Sequence, residues 1–166
     1  MAEDRWQLED IANRVPGFRG YSTQDVRAEA DQMLRAHLSK ALGLQRDRIA
    51  EIELELMASG DSRAAQIDRI VMAFQAVIDS VDTPITGIDE WLGRVAIRED
   101  DLESIYRTDG LLLRKVDQIG ERIGETNPWR SLDQSFAPLI GELIDLLKTM
   151  TEKLGHRQEI IENPLP

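Results

Sequence analysis

In the run Ile67-Asp68-Arg69-Ile70-Val71-Met72-Ala73-Phe74-Gln75-Ala76-Val77-Ile78-Asp79-Ser80-Val81, the residues Ile67, Ile70, Phe74, Val77 and Val81 step by three and four, and Val71 and Ile78 widen the same side. That spacing gathers them on one face of an α-helix, with Asp68, Arg69, Gln75 and Asp79 mainly outside it. The β-branched residues on the face do not overturn this, because propensity is weak beside periodicity. Gly60-Asp61-Ser62 supplies a stop and a new N-cap before the run, and Asp82-Thr83-Pro84 stops it.

The same alternation extends in both directions. On the N-terminal side, Arg5 to Arg14 reads as a short helix with Trp6, Leu8, Ile11, Ala12 and Val15 as its apolar residues, broken by Pro16-Gly17-Phe18-Arg19-Gly20-Tyr21. Ser22, with Asp25 three residues on, is a capping box that opens a second helix to Leu42. Its face is Val26, Ala30, Met33, Leu34, His37, Leu38 and Ala41, and Gly43 ends or bends it. A third helix covers Leu44 to Ser59 through Ile49, Ile52 and Leu56.

On the C-terminal side, residues 83–98 fit either an ordered loop or a short helix pinned by Ile88, Trp91 and Leu92. A further helix runs from Asp100 to Thr126 along Leu102, Ile105, Tyr106, Asp109, Leu112, Leu113, Val116, Ile119 and Ile123. Asn127-Pro128 starts the last helix, which Gly155 ends. Residues 156–166 are expected as a tail, frayed at Asn163-Pro164-Leu165-Pro166, and residues 1–22 as an N-terminal helix with its aromatic connector. The expectation is one all-α domain over residues 1–166. It is an antiparallel helical bundle of four main helices plus the short N-terminal helix, since amphipathic helices joined by short connections bury their stripes against one another.

Composition bounds the function. The 166 residues include 42% hydrophobic and 31% charged residues, a globular profile. No cysteine is present, which removes disulfides, thiolate metal sites and cysteine nucleophiles and favours a cytoplasmic home. The acidic opening Met1-Ala2-Glu3-Asp4-Arg5 is not that of a signal peptide, and no apolar run approaches a membrane span. A net charge of −11, with bases interleaved among acids, disfavours nucleic acid.

Motifs for catalysis and metal binding are missing, so no catalytic residue, metal ligand or cofactor is assigned. Neither His37 nor His156 follows a glutamate at the spacing of a carboxylate-bridged metal bundle. Glu51, Glu53 and Glu55 scatter around a helix, and Glu99-Asp100-Asp101-Glu103 sits where acids favour a helix start. The glycines of the Pro16–Tyr21 segment lack the lysine and preceding strand of a phosphate loop.

Two features remain. Asp109 and His37 fall on apolar seams, Asp109 one turn from Tyr106. A carboxylate placed there needs a partner, and His37, Tyr21 or an arginine of the second helix are the candidates. The expected buried polar set is therefore Asp109, His37 and Tyr106, read first as a register-fixing pair. The other feature is the connector, whose Phe18 and Tyr21 either lock the first helix to the second or form a recognition patch around Arg19.

The segment Pro16–Tyr21, followed by Arg27-Ala28-Glu29-Ala30-Asp31 and Leu34-Arg35, resembles a group of small bacterial helical proteins that open with a Pro-Gly-aromatic-x-Gly-Tyr segment. Arg98-Glu99-Asp100-Asp101-Leu102 with Tyr106 and Asp109 is similar to a second segment of that group. The resemblance implies a bacterial helical protein and no known activity.

The expected function is a non-enzymatic interaction module: an adaptor, scaffold or assembly subunit that meets a protein partner or another copy of itself. Ile144 and Leu146 widen the stripe of the last helix and mark it, with Phe18, Arg19 and Tyr21, as the expected contact surface. One alternative is a small-ligand or enzymatic bundle around Asp109, Tyr106 and His37. Another is an acidic inhibitor that covers a basic surface.

Overall fold

The three-and-four stripe becomes α3, Ala64–Asp82, with Ile67, Ile70, Phe74, Val77, Ile78 and Val81 buried and Val71 half-buried beside them. The computed structural model describes residues 6–124 and 136–166. Among these the regular elements are six helices and no strand: α1 Leu8–Ala12, α2 Gln24–Ala58, α3, α4 Ile88–Leu92, α5 Glu99–Gly124 and α6 Phe136–Glu162. The chain is all-α, and none of these helices is long and apolar enough to cross a membrane.

Several boundaries differ from expectation, each for a local reason. The predicted second and third helices are one, because α2 runs unbroken through Gly43. A helical glycine costs about 1 kcal/mol relative to alanine. Here burial of Leu38, Leu42, Ile49 and Leu56 on either side of it outweighs that cost. The Ser22–Asp25 capping box does not form. Thr23 occupies the cap without a side-chain hydrogen bond, and the Ser22 carbonyl accepts from Arg27 instead. Arg5 lies outside the described residues, as do Thr126, the Asn127-Pro128 helix start and Leu132.

The largest correction concerns the C-terminal end. Gly155 does not stop α6, and the supposed tail is helical as far as Glu162. Ile160 and Ile161 are buried and Arg157 lies inside, so the inward face continues past the glycine. Even beyond α6 the chain is held: Leu165 N–H donates to Asp101 Oδ2 at 2.9 Å. Residues 83–98, undecided between loop and helix, contain α4, with Trp91 buried.

Each long helix packs on two others. α2 lies against α3 and α5, and α6 against α5 and α3, while α4 touches α6 and α2 and α1 rests on α5. Specific contacts set the levels at which they meet. Arg46 of α2 donates to Gln75 of α3 at 2.7 Å, and Gly120 of α5 lies beside Gln45. Arg63 at the start of α3 sits over the ring of Phe136 at the start of the described α6, 5.0 Å from its centroid. The α2–α3 turn is closed by Gly60 at φ +70 and by Asp61, whose carboxylate accepts from the Arg63 backbone and side chain. Those bonds hold the Asp61 carboxyl down at about 2.

One glycine in mid-helix has a packing reason. A Cβ on Gly110 would stand 1.9 Å from Cδ2 of Trp6, so the bare backbone of α5 is the seat of that indole. Gly110→Ala gains under about 1 kcal/mol of helix propensity but forces the ring out. A net loss of about 1–3 kcal/mol is expected for such overpacking. Thermal denaturation followed by circular dichroism checks this, and an unchanged midpoint would contradict the seating of Trp6.

Candidate functional site

Three helices and the connector converge on one buried guanidinium. Arg157 of α6 donates from Nε to Asp109 Oδ1 at 2.7 Å and from Nη2 to Asp31 Oδ1 at 2.7 Å. The same Nη2 reaches the Tyr21 hydroxyl at 3.1 Å. Tyr21 in turn donates to Asp109 Oδ2 at 2.5 Å, so both oxygens of Asp109 are occupied. Asp31 uses its second oxygen to accept from Arg35 Nε at 2.9 Å. Asp109 is 0% exposed and Arg157 2%.

The local sequence explains how these groups arrive. On α2, Ala30, Asp31, Leu34 and Leu38 lie three, four, seven and eleven residues beyond Arg27, on one helix face, and all five are buried. The inward face is thus rotated from the expected one, leaving Met33, His37 and Ala41 half-buried at its flank. Asp109 lies on the α5 seam as expected. Tyr21 is placed by Gly20, whose φ of +80 suits glycine, and a Cβ there would meet the Tyr106 hydroxyl at 2.5 Å. Tyr106 uses that hydroxyl to accept the Tyr21 N–H at 2.9 Å and stacks its ring on Tyr21. Phe18 and Trp91 meet the Tyr21 ring edge-on.

A second buried arginine holds backbone rather than carboxylate. Arg27 donates from Nε to the Tyr21 carbonyl at 2.6 Å, and from Nη1 to the carbonyls of Leu92 at 3.1 Å and Arg94 at 2.7 Å. The Leu92 carbonyl belongs to the last turn of α4, where helix carbonyls lack intrahelical donors. Arg27 therefore ties the connector and the end of α4 to α2.

Burial sets the electrostatics. It pushes the Asp109 carboxyl above its usual range, and the charge of Arg157 with the bond from Tyr21 pulls part of the way back. It also opposes the charge on Arg157, but Asp109, Tyr21 and Asp31 outweigh it and hold that guanidinium charged well above its ordinary value. The Tyr21 phenol is raised well above the usual range by burial and by Asp109, and the Tyr106 phenol is raised by burial. Burial lowers the pKa of Arg27 and of His37.

Of the residues singled out from sequence, the fold brings Asp109, Tyr21 and Tyr106 together. It does not bring His37, which is half-buried near Asp117, Arg14 and Lys40. The arginine partner of Asp109 comes from α6 and not from α2. Phe18 and Tyr21 are buried, which removes them from any exposed patch, whereas Arg19 is exposed and pairs with Glu29 at 2.7 Å. Leu146 is partly buried against the core, and Ile144 is 41% exposed. Sequence reasoning missed Arg157, Asp31 and Arg27. The signal was present, because all three sit at apolar-stripe positions.

Two open clefts adjoin these residues. One, of about 320 Å³ beside α1, is lined by Tyr106 with Trp6, Leu8 and Leu102, and neither Asp109 nor His37 lines it. The other, of about 410 Å³, lies between α2, α3 and α6 and has Arg35 and Arg157 in its lining. Among the described residues no group of three or more histidine or acidic side chains is placed to hold a metal ion. No family model matches the chain, and no curated protein or solved structure is significantly similar to it.

Arg157→Met leaves Asp31 and Asp109 facing each other without their shared cation, and is expected to lose about 3–5 kcal/mol. Tyr21→Phe removes a neutral partner and is expected to lose about 1–2 kcal/mol. Urea unfolding of both variants tests this order, and equal losses would overturn it. The chain has two tyrosines, both with raised phenols. Below pH 10 both folded and unfolded chains keep these protons. Above it the unfolded chain releases them first, so stability falls as pH rises. Tyrosinate absorbance is expected to appear only together with loss of helical signal, and titration of an intact fold near pH 10 would contradict the burial.

Proposed function

We propose that this chain is a non-catalytic helical interaction module, cytoplasmic in location, whose inner charge network fixes helix register and whose outer apolar side chains meet another protein chain. The observation that carries the reading is a contrast between inside and outside. The Asp109 carboxylate is consumed by its neighbours and lines neither cleft described above. On the surface, Leu54 and Met57 of α2 and Met72 of α3 are 65%, 60% and 65% exposed. Exposed side chains of this kind lose water on contact with a partner. With Leu146 turned inward, the supporting residues lie on α2 and α3 more than on α6.

The architecture we infer for this module is a four-helix bundle in which helices consecutive in sequence run antiparallel. The levels at which Arg46 meets Gln75, Gln45 meets Gly120, and Arg63 meets Phe136 support it. On this reading α2 and α5 rise together and α3 and α6 return together. The connection through α4 then passes between helices that are diagonal to each other, which fits its length.

The acidic-inhibitor alternative draws less support. Ion pairs such as Arg14–Asp117, Arg19–Glu29, Arg107–Glu103 and Arg122–Glu142 spread acids among bases on several helices. A ligand or reaction site that joins Asp109 to His37 lacks the proximity it needs.

The reading is tested by light scattering over a wide concentration range, together with affinity capture from native cells, for the unaltered chain and for Leu54→Glu/Met57→Glu. Self-association, or a captured partner, that weakens at least tenfold in the double variant is the expected result. A chain that stays monomeric, and whose captured proteins are the same with and without the substitutions, would overturn it.

A further inference from the structure

The cleft between α2, α3 and α6 has an apolar lining of Leu34, Leu38, Val81, Ile85 and Leu154. Its volume of about 410 Å³ falls within the range of small-molecule sites. The polar part of the lining is unusual in how its hydrogen-bond donors are distributed. Ser80 donates its hydroxyl proton to the Ala76 carbonyl at 3.0 Å, Thr83 to Asp79 at 2.6 Å and Thr151 to Leu147 at 3.2 Å. The Gln158 amide donates to Glu162 at 2.7 Å. These groups are committed to their own helices.

The two arginines of the lining are not. Asp31 anchors both, taking Arg35 Nε on Oδ2 and Arg157 Nη2 on Oδ1. That leaves Nη1 and Nη2 of Arg35, and Nη1 of Arg157, without a hydrogen-bond partner among the described residues. An almost fully buried guanidinium with an unmatched edge, next to a second one fixed by the same carboxylate, is a preorganised oxyanion receptor. The charge balance limits the anion. Arg35 and Arg157 are offset by Asp31 and Asp109, and Asp79 adds a further carboxylate to the lining. An oxyanion is therefore held there by the unmatched N–H groups and not by net charge, and a singly charged carboxylate is repelled less than a doubly charged phosphate. At about 30 Å³ for each heavy atom, the share of a water in the liquid, the cleft holds roughly a dozen such atoms.

We propose that this cleft binds a monocarboxylate with an apolar chain, its carboxylate on the unmatched Nη groups of Arg35 and Arg157 and its chain over the half-buried Ile85 and Leu154, with Leu34, Leu38 and Val81 packed beneath. The site is independent of the interaction-module reading and stands or falls without it.

The test uses the full chain and three probes that share one tail: decanoate, 1-decanol and decyl phosphate, each below its aggregation concentration. Binding is followed by amide chemical shifts and calorimetry. Decanoate is expected to saturate shifts at Arg35, Val81 and Leu154, and to bind at least tenfold more tightly than either comparison probe. Arg35→Gln is expected to weaken decanoate at least tenfold and leave decanol unchanged. Because Arg35→Gln touches Asp31, Thr151→Trp provides a second reading: it places bulk in the cleft from an exposed position and is expected to abolish binding. Decanol binding as tightly as decanoate would reduce the site to an apolar groove and overturn the proposal. So would tighter binding of decyl phosphate, unaltered decanoate binding in Thr151→Trp, or no saturable shift at these residues.

Discussion

A single guanidinium joins parts of the chain that are otherwise far apart in sequence. Arg157 is separated from Asp109 by 48 residues and from Asp31 by 126. It bonds both, along with the Tyr21 hydroxyl. Removing charges from water is costly, and such a group is tolerated only when its partners are complete. The network therefore says less about how stable the fold is than about which arrangement is allowed. A slip of α6 by one residue would leave two carboxylates and a cation buried apart from one another, whereas the leucine and isoleucine contacts alone would tolerate substitution of one greasy neighbour for another.

Arg27 extends the same logic to chain with little secondary structure. Residues 83–98 contain a single short helix and two glycines, and their apolar residues alone do not dictate a path. The bonds from Arg27 to the carbonyls at Tyr21, Leu92 and Arg94 join that segment to the aromatic connector. Trp91 then fills the space beside Tyr21. The buried charges and the buried aromatics thus act on one another: the rings exclude water, and exclusion of water strengthens the bonds the charges make.

Much of the helical content was legible because apolar residues dominate the faces of α3 and α5, and periodicity reports such faces directly. The Ile67–Val81 stripe became α3 almost residue for residue. Legibility failed where polarity and burial part company. Arg27, Asp31 and Arg157 occupy inward positions, yet a reading that counts greasy residues skips them, and the α2 face was rotated toward Met33 and His37 as a result. Glycine misled in the same way. Gly43, expected to end or bend its helix, and Gly155, expected to end the last one, are both helical, and tertiary packing outweighs their intrinsic cost. Asp109 was found because a lone acid among leucines is conspicuous, but its partner lay in a region already set aside as tail.

The position of Arg157 has a consequence for how the molecule is made. A ribosome delivers Asp31 and Asp109 before the guanidinium they share, and at about 5–20 residues per second Asp31, which has only Arg35 beside it until then, precedes Arg157 by roughly 6–25 s. During that interval the two acids repel if they are brought together in a dry interior. The nascent chain is thus discouraged from closing early around them, and the final turns of α6, on arrival, supply the counter-charge that permits closure.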